Sequence, residues 1–407
     1  MERVFNLKGF ALLRRSLPWL LGATCMLEVF LTSEMLHILL LANLLSGIKL
    51  VLFALIGLSL FVDIICGKLA PSFGVLLLLV CFLLGIGIYI ATGGGGWRTL
   101  FILLPLLLMA LRRTDFKRVA FAAGALLGVG LVLVIFLALI GALPNEVFSY
   151  RGETERYTLG FTYATMSQSL MLFSALSLNY ALQKRTPYWL LAAEAALSVF
   201  IYTQTDTRTG LGLTLAVVMA TLAHKLLAKK EEKISRFFAF TEKRWVYNTL
   251  CFLPLLLFFG FGLLVLLYAG GNPLAVELNG FFSNRLALTA NAFSSPGLTL
   301  FGQAVDWMDG DIYIGVDSSW YFYLFNMGVF GFLMVMAADI FALRHALKTR
   351  NLWLVFALLI CFADGIFEAY LCDVRYNIFV LSLAFIADGK PLFPLPKRKK
   401  ENEESTL

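Results

Sequence analysis

Charged residues are scarce in this chain of 407 residues, and their scarcity argues against a soluble globular protein. Only 14% of the residues are charged, 60% are hydrophobic, and the mean hydropathy is +0.83. An average soluble domain contains about 25% charged residues. This composition favours apolar helices of roughly 20 residues each that cross a lipid bilayer, so the chain is better counted in membrane spans than in soluble domains.

Cysteine and histidine are also too few and too scattered to form a recognisable site. The six cysteines lie within or at the end of apolar segments, and none has a CxxC or Cys/His spacing. This distribution predicts neither a disulfide framework nor a metal site, and we expect no cofactor. The net charge of +7 does not indicate nucleic-acid binding, because the basic residues lie in short loops between apolar segments.

The apolar segments predict an all-α polytopic integral membrane protein with about twelve transmembrane helices. The predicted spans are roughly 17–36, 44–66, 73–91, 97–111, 119–142, 159–181, 187–204, 209–228, 246–269, 320–343, 351–370 and 375–389. Alternate loops are basic, which predicts that both termini are cytoplasmic. We therefore expect one transmembrane domain over residues 1–389 and a charged cytoplasmic tail over 390–407.

Two of the predicted outer loops are longer than the others. Residues 143–158 are rich in Glu and Arg, whereas residues 270–319 are rich in Gly, Asn and Ser and also contain two prolines. Long loops within a compact fold are usually functional or disordered. The aromatic residues in 270–319 argue against disorder, so we expect short helices there, on the outer membrane surface.

Basic residues on the predicted outer face are nearly all arginine. The seven are Lys49, Arg98, Arg151, Arg156, Arg208, Arg285 and Arg375. Arginine at the outer boundary opposes the usual topological bias, and its planar guanidinium suits phosphate or carboxylate. The pattern predicts that the outer face binds an anionic ligand.

Arg156 and Arg208 both lie close to the predicted outer membrane boundary. Arg156 is followed by Tyr157 and stands about one turn above the sixth span; the alternative is an ion pair with Glu153 or Glu155 on a solvated loop. Arg208 lies in a threonine-rich turn with Asp206 as its expected partner. This pair either helps to bind an anion at the next helix N-terminus or only locks the hairpin.

Arg285 and three acidic or basic positions further along complete the candidate residues. Asn284 and Arg285 lie in the long loop, where the alternative is a surface arginine on an interfacial helix. Asp317 precedes the tenth span, and Glu368 lies within the predicted eleventh span. A buried carboxylate can act as a general base, but Glu368 could instead pair with Arg375 and close the bundle.

The order of these motifs resembles the O-antigen ligase and polymerase superfamily, and within it the Wzy-type polysaccharide polymerases of bacterial capsules and exopolysaccharides. The motifs are Arg156-x3-Gly160-Phe161, the turn 205–210, Asn284-Arg285, Leu300-Phe301-Gly302, Asp317-Ser318-Ser319-Trp320-Tyr321 and Gly328-Val329-Phe330-Gly331. Each motif alone is nonspecific, whereas their order and shared outer location cover most of the chain.

The resemblance implies a metal-independent glycosyltransferase of GT-C-like architecture in the bacterial cytoplasmic membrane. Such a polymerase transfers a growing glycan from undecaprenyl diphosphate to a lipid-linked repeat unit on the outer face, and a flippase and a chain-length regulator are its expected partners. The expected catalytic residues are Arg208, Arg285, Asp317 and Glu368. The expected residues for binding diphosphate or glycan are Arg156, Tyr157, Asp206, Asn284 and Arg375.

Three other functions remain open at this point. The related ligases typically have a histidine in the large outer loop, where this chain has none, and this favours a polymerase. A transporter or lipid-linked oligosaccharide flippase would also suit twelve spans, but paired broken helices and midplane charges are not evident. A peptidoglycan polymerase relative would share the carrier but fits the loop motifs less well.

Overall fold

The structure is a computed structural model, and it describes most of the chain. The described residues are 8–66, 69, 71–93, 98–150, 154–227, 241, 243–309, 312–313 and 315–388. The side chain of Arg98 is not described, and Arg151, Glu153 and the predicted tail 390–407 lie outside the described residues.

Long helices form the first half of the described chain, interrupted by one hairpin. They are α1 (Lys8–Leu31), α2 (Leu39–Ile65), α3 (Phe73–Thr92), α4 (Leu104–Leu111), α5 (Phe116–Leu139), α6 (Ala164–Leu182), α7 (Tyr188–Thr205) and α8 (Arg208–Leu227). A π-helical turn, Arg98–Leu103, leads into α4, and the hairpin consists of β1 (Val147–Tyr150) and β2 (Thr154–Tyr157). Side-chain caps begin two of these helices, since Ser72 accepts a hydrogen bond from Val75 and Asp115 accepts one from Lys117.

The second half combines short helices with one long broken helix. Its elements are α9 (Arg244–Cys251), α10 (Leu253–Ala269), α11 (Pro273–Phe281), α12 (Arg285–Ser294), the paired strands β3 (Met308–Asp309) and β4 (Ile312–Tyr313), α13 (Ser319–Lys348), α14 (Leu352–Gly365) and a final 3₁₀ helix, Ile378–Asp388. The short helices expected within 270–319 are therefore present as α11 and α12.

Five of the described helices are long and apolar enough to cross a membrane. They are Leu40–Ile65, Phe73–Thr92, Phe116–Leu139, Arg208–Leu226 and Ser319–Lys348. The pair α9 and α10, bent by 60°, makes a sixth if the two helices form one span. These helices indicate a multi-pass membrane protein.

Twelve crossings are not confirmed, although a helix occurs in each of the twelve predicted segments. The helix α6 is too polar in composition to count as a membrane-crossing helix, because it contains four serines together with Gln168 and Asn179. It is also largely buried inside the bundle, so its polar groups face protein. The helix α14 has 14 residues and the final 3₁₀ helix has 11, which is short for a span.

Small residues allow α1, α5 and α6 to pack closely in the centre of the bundle. A Cβ atom added to Gly22 in α1 would lie 2.7 Å from the carbonyl oxygen of Ala122 in α5. A Cβ added to Gly124 in α5 would lie 2.9 Å from the Ser177 Cβ in α6. Close backbone approach of this kind is typical of helix packing in membranes, and it makes these three helices the frame for the loops at their ends.

The break in α13 is fixed by the loop that precedes it. Gly328 has φ 70° and ψ −179°, which interrupts the helix. The freed backbone groups on either side bond to residues 299–303: Val329 N donates to Thr299 O at 3.0 Å, and Phe330 N donates to Leu300 O at 3.0 Å. The Leu300-Phe301-Gly302 and Gly328-Val329-Phe330-Gly331 motifs therefore lie in direct contact.

Candidate functional site

Arg285 is placed by a tight turn between α11 and α12. Asn284 has φ 66° and is the residue before the helix, and its side chain accepts a hydrogen bond from Asn279 Nδ2 at 3.1 Å. Asn279 Oδ1 in turn accepts from the backbone N of Ala287 at 3.2 Å. Asn284 thus holds the turn, and Arg285 begins α12 in a fixed orientation.

The side chain of Arg285 lies between two carboxylates. Its Nε is 3.3 Å from Asp317 Oδ2, and its Nη2 is 3.1 Å from Glu368 Oε1. The Nε also donates to the carbonyl oxygen of Phe367 at 2.8 Å. With 12% of its side chain exposed, Arg285 is not the surface arginine of the alternative interpretation. Three of the four predicted catalytic residues are therefore in contact, and we call them the Arg285 triad.

The start of α13 holds Glu368 in this triad. The hydroxyl of Ser319 donates to the carbonyl oxygen of Glu368 at 2.5 Å and accepts from the backbone N of Leu371 at 3.1 Å. Tyr323 OH accepts from the backbone N of Cys372 at 3.0 Å. The motif that begins with Asp317 thus supplies one carboxylate directly and positions the backbone of the other.

The sequence analysis placed Glu368 within a helix, whereas in the structure it lies outside one. The helix α14 ends at Gly365, and Glu368 lies in the turns that connect it to the final 3₁₀ helix. Burial raises the pKa of the Glu368 carboxyl, Arg285 beside it acts in the opposite direction, and Asp317 adds to the increase. One guanidinium faces two carboxylates, so the triad is suited to retaining or accepting a proton.

Asp206 joins Arg156 to Arg208 in a second cluster. Arg156 Nη2 is 3.3 Å from Asp206 Oδ2, and Arg208 Nε is 3.3 Å from Asp206 Oδ1. Asp206 follows the last residue of α7 and has φ 48°, and Arg208 is the first residue of α8. The hairpin turn therefore orients both side chains. The expected Asp206–Arg208 pair is confirmed. The pairing of Arg156 with Glu153 falls outside the described residues.

The two arginines of this second cluster differ in exposure. Arg208 has 80% of its side chain exposed, whereas Arg156 has 17% exposed. Arg156 lies within β2, opposite Phe148 of β1, and its side chain reaches Asp206 from the hairpin. Arg208 is consequently the more accessible cation, and Arg156 is the half-buried one that contacts Asp206 from the hairpin.

Arg375 belongs to a third cluster, so the alternative interpretation, in which it pairs with Glu368, does not hold. Its Nη1 is 2.7 Å from Glu28 Oε1, and its Nη2 is 2.5 Å from Asp373 Oδ2. Lys49 Nζ lies 2.7 Å from the other oxygen of Glu28, Oε2. The turn places Arg375 towards α1, whereas Glu368 already pairs with Arg285.

Sequence analysis did not identify Glu28, which links Lys49 to Arg375. It lies near the end of α1, in a segment predicted as a membrane span, and only 5% of its side chain is exposed. A carboxylate within an apolar segment is itself a signal, because an intramembrane charge needs a partner.

The three clusters lie at the same end of the helix bundle. Ser33, just after α1, forms a β-bridge with Phe161, five residues beyond Arg156. Tyr370 OH, two residues beyond Glu368, donates to Met166 Sδ at 3.7 Å near the start of α6. Tyr370 also packs on Tyr376, with ring centroids 5.1 Å apart, next to Arg375. Eight of the nine predicted site residues are thus in ion pairs or hold a turn at this end, and Tyr157 lies beside Arg156.

The described residues contain no group of three or more His, Cys, Asp or Glu side chains arranged to hold a metal ion. The chemistry available in the three clusters consists of guanidinium groups, one ammonium group and carboxylates. These groups can bind anions and transfer protons.

Comparison with known proteins adds no family assignment to this geometry. No protein-family model matches the chain, and no curated protein matches it.

Proposed function

We propose that the chain is a Wzy-type polysaccharide polymerase, a metal-independent glycosyltransferase of the bacterial cytoplasmic membrane. It would transfer a growing glycan from undecaprenyl diphosphate to a lipid-linked repeat unit on the outer face. The proposal includes about twelve spans of GT-C-like architecture and cytoplasmic termini. The observation that supports it best is the Arg285 triad, in which residues from two separate motifs of the resemblance meet each other and Glu368.

In this proposal, Arg208 and Arg285 bind the anionic diphosphate. Undecaprenyl diphosphate leaves with its negative charge concentrated on the diphosphate, and guanidinium groups stabilise such charge well. Arg208 is largely exposed, so it is accessible to a lipid diphosphate without rearrangement of the fold. Arg285 would stabilise charge closer to the reacting carbon.

A carboxylate of the triad would accept the proton of the acceptor sugar. The acceptor hydroxyl oxygen forms the new bond to the anomeric carbon, the bond from that carbon to the diphosphate oxygen breaks, and the hydroxyl proton moves to the carboxylate. Asp317 is the more accessible candidate, with 27% of its side chain exposed against 12% for Glu368. We therefore assign the base to Asp317 and the positioning of Arg285 to Glu368.

The direct test is polymerisation by the purified protein. Synthetic repeat units linked to undecaprenyl diphosphate are the only substrates supplied, and product length is read on a gel. We expect a ladder of polymers without added metal or nucleotide sugar. Intact, correctly folded protein that forms no ladder from several repeat units would contradict the proposal.

Cells that lack the chain distinguish the alternative functions. A polymerase defect leaves single lipid-linked repeats on the outer leaflet. Repeats that accumulate on the inner leaflet would instead identify a flippase. A defect in transfer of finished glycan to a different acceptor, with polymer length unchanged, would identify a ligase.

A further inference from the structure

A polar cavity lies at the end of the bundle opposite to the three clusters. It has a volume of about 400 Å³ and is enclosed by the first half of α1, the end of α2 and the turn that leads into α5. Arg15 lies 16 residues before the end of α1, which corresponds to roughly 24 Å along the helix. The cavity is therefore separate from the proposed catalytic end.

The cavity has more positive than negative side chains. Its charged lining consists of Arg14, Arg15, Arg113, Arg118, Asp63 and Asp115. Among the described residues, no carboxylate lies within ion-pair distance of Arg15 or Arg113, and both are exposed. These two arginines are available to an added anion.

Asp63 builds the inner wall of the cavity. Its Oδ2 accepts from Arg14 Nη2 at 2.8 Å and lies 3.2 Å from Arg112 Nη1. The side chains of Asp63 and Arg112 are 4% and 2% exposed, so this wall is fixed by buried ion pairs. One carboxylate shared by two arginines does not neutralise both, and the wall remains positive towards the cavity.

Apolar residues form the remaining wall and continue onto the outside of the helices. Phe10, Leu13 and Val62 line the cavity, and neighbouring side chains are exposed to the surroundings of the bundle, with Leu12 at 68% and Phe61 at 58%. A ligand that fits must combine an anionic head with an apolar body. An anionic membrane phospholipid has this chemistry, and basic pockets between membrane helices bind such head groups.

We propose that this cavity binds the phosphate head group of an anionic phospholipid, with Arg15 and Arg113 contacting the phosphate oxygens and the acyl chains lying against the exposed apolar side chains of α1 and α2. This site is independent of the proposed polymerase activity. Its role is to hold one lipid between α1, α2 and α5.

Lipid retention by the delipidated full-length protein tests the proposal. The protein is incubated with phosphatidylglycerol or phosphatidylcholine in detergent, and bound lipid is counted by native mass spectrometry. We expect retention of phosphatidylglycerol over phosphatidylcholine. The double variant Arg15→Gln/Arg113→Gln should weaken phosphatidylglycerol binding by roughly fivefold for each arginine removed.

Arg185→Gln is the matched control, because it removes one exposed arginine after α6 without touching the cavity. It should leave lipid retention unchanged. Arg15 and Arg113 have no carboxylate partner among the described residues, so the double variant should fold, and its melting temperature without lipid should equal that of the unmodified protein.

Two results would overturn the proposal. Both lipids contain a phosphate, so equal retention would show that the site does not select the net negative charge of an anionic phospholipid. Inorganic phosphate that raises the melting temperature as much as phosphatidylglycerol, and loses this effect in the double variant, would identify a site for a small anion instead of a lipid.

Discussion

Arg285 determines the charge balance of the triad, since it is the only guanidinium that contacts both Asp317 and Glu368 among the described residues. Replacing it with alanine removes the cation that lies between the two carboxylates. We expect Arg285→Ala to lower polymer formation by at least roughly 100-fold, the scale seen when one charge-stabilising donor is removed. Polymer yield from purified protein is the measurement.

Arg285→Lys supplies the comparison for this prediction. Lysine retains the charge but cannot donate to Phe367 O and Glu368 in the planar geometry of arginine. Its activity should lie between those of the alanine variant and the unmodified protein. Normal activity of both variants would show that Arg285 is not part of the catalytic site.

Substitution of Arg208 distinguishes a role in ligand binding from a role in structural support. Its side chain is 80% exposed, and its acidic partner among the described residues, Asp206, also pairs with Arg156. We expect Arg208→Ala to abolish long polymer while changing the melting temperature little, because exposed ion pairs contribute roughly 0–1 kcal/mol. Gel analysis of polymer length and thermal unfolding are measured on the same preparation.

The opposite pattern for Arg208 would contradict its role. A clear loss of thermal stability with polymer of normal length would mean that the Asp206–Arg208 pair only locks the α7–α8 hairpin. Arg185→Ala is the control for removing an exposed arginine, and it should change neither quantity.

At the scale of elements, the start of α13 connects two motifs to the triad. Ser319 is fully buried and forms two hydrogen bonds with the 368–371 segment. Ser319→Ala should destabilise the protein by about 1–3 kcal/mol, because the backbone N of Leu371 is left without this acceptor. It should also lower activity through displacement of Glu368, and denaturant unfolding together with polymer yield checks both effects.

Ser318 is a suitable neighbouring control for that substitution. It is equally buried, but within the described part of the chain its hydroxyl forms a single hydrogen bond, to Gly365 O at 3.4 Å. Ser318→Ala should therefore have the smaller effect on both quantities. A larger effect of Ser318→Ala would show that the Ser319 contacts do not position the triad.

The break in α13 gives a prediction about stability. Gly302 and Gly328 have φ values of 88° and 70°, and a Cβ on either residue would overlap the backbone of the other segment. Either residue changed to alanine should destabilise the protein by more than about 1 kcal/mol, because the new methyl group has no space and φ is unfavourable.

Gly212→Ala is the control for the glycine substitutions. Gly212 lies in α8, and no atom lies within 4 Å of an added Cβ. Alanine there should be neutral or stabilising, since glycine within a helix costs roughly 0.5–1 kcal/mol relative to alanine. Similar unfolding free energies for all three variants would contradict the contact between the two motifs.

At the scale of the whole molecule, the helices were predictable from the sequence and their meeting points were not. Long apolar runs and local caps determine where each helix lies, so every predicted span contains one. Arg285 and Glu368 are 83 residues apart, and no local pattern sets the distance between them. The alternative Glu368–Arg375 pairing fails for the same reason, because proximity in sequence suggested a partner, whereas the turn places Arg375 beside Glu28 and Asp373.

The number and direction of crossings can be measured by cysteine labelling. Tyr163→Cys probes the end that carries the three clusters, and Arg185→Cys probes the end reached after α6; both residues are exposed. In a background without reactive native cysteines, a membrane-impermeant reagent should label position 163 from outside the cell. It should label position 185 only after the membrane is opened.

Labelling of both positions from the same side would contradict the proposed topology at α6. The composition of α6 is too polar to identify it as a membrane-crossing helix, so it is the most informative single crossing to test.

The shared carboxylate of Asp206 has a consequence for turnover. Under the proposed function, a diphosphate that approaches Arg208 meets an arginine already satisfied by an internal anion. The incoming group must compete with that anion, so it is held less tightly than by an arginine with no internal partner. Once the glycan has been transferred, Asp206 reoccupies Arg208 and assists departure of the spent carrier, which would let one enzyme molecule complete many successive additions.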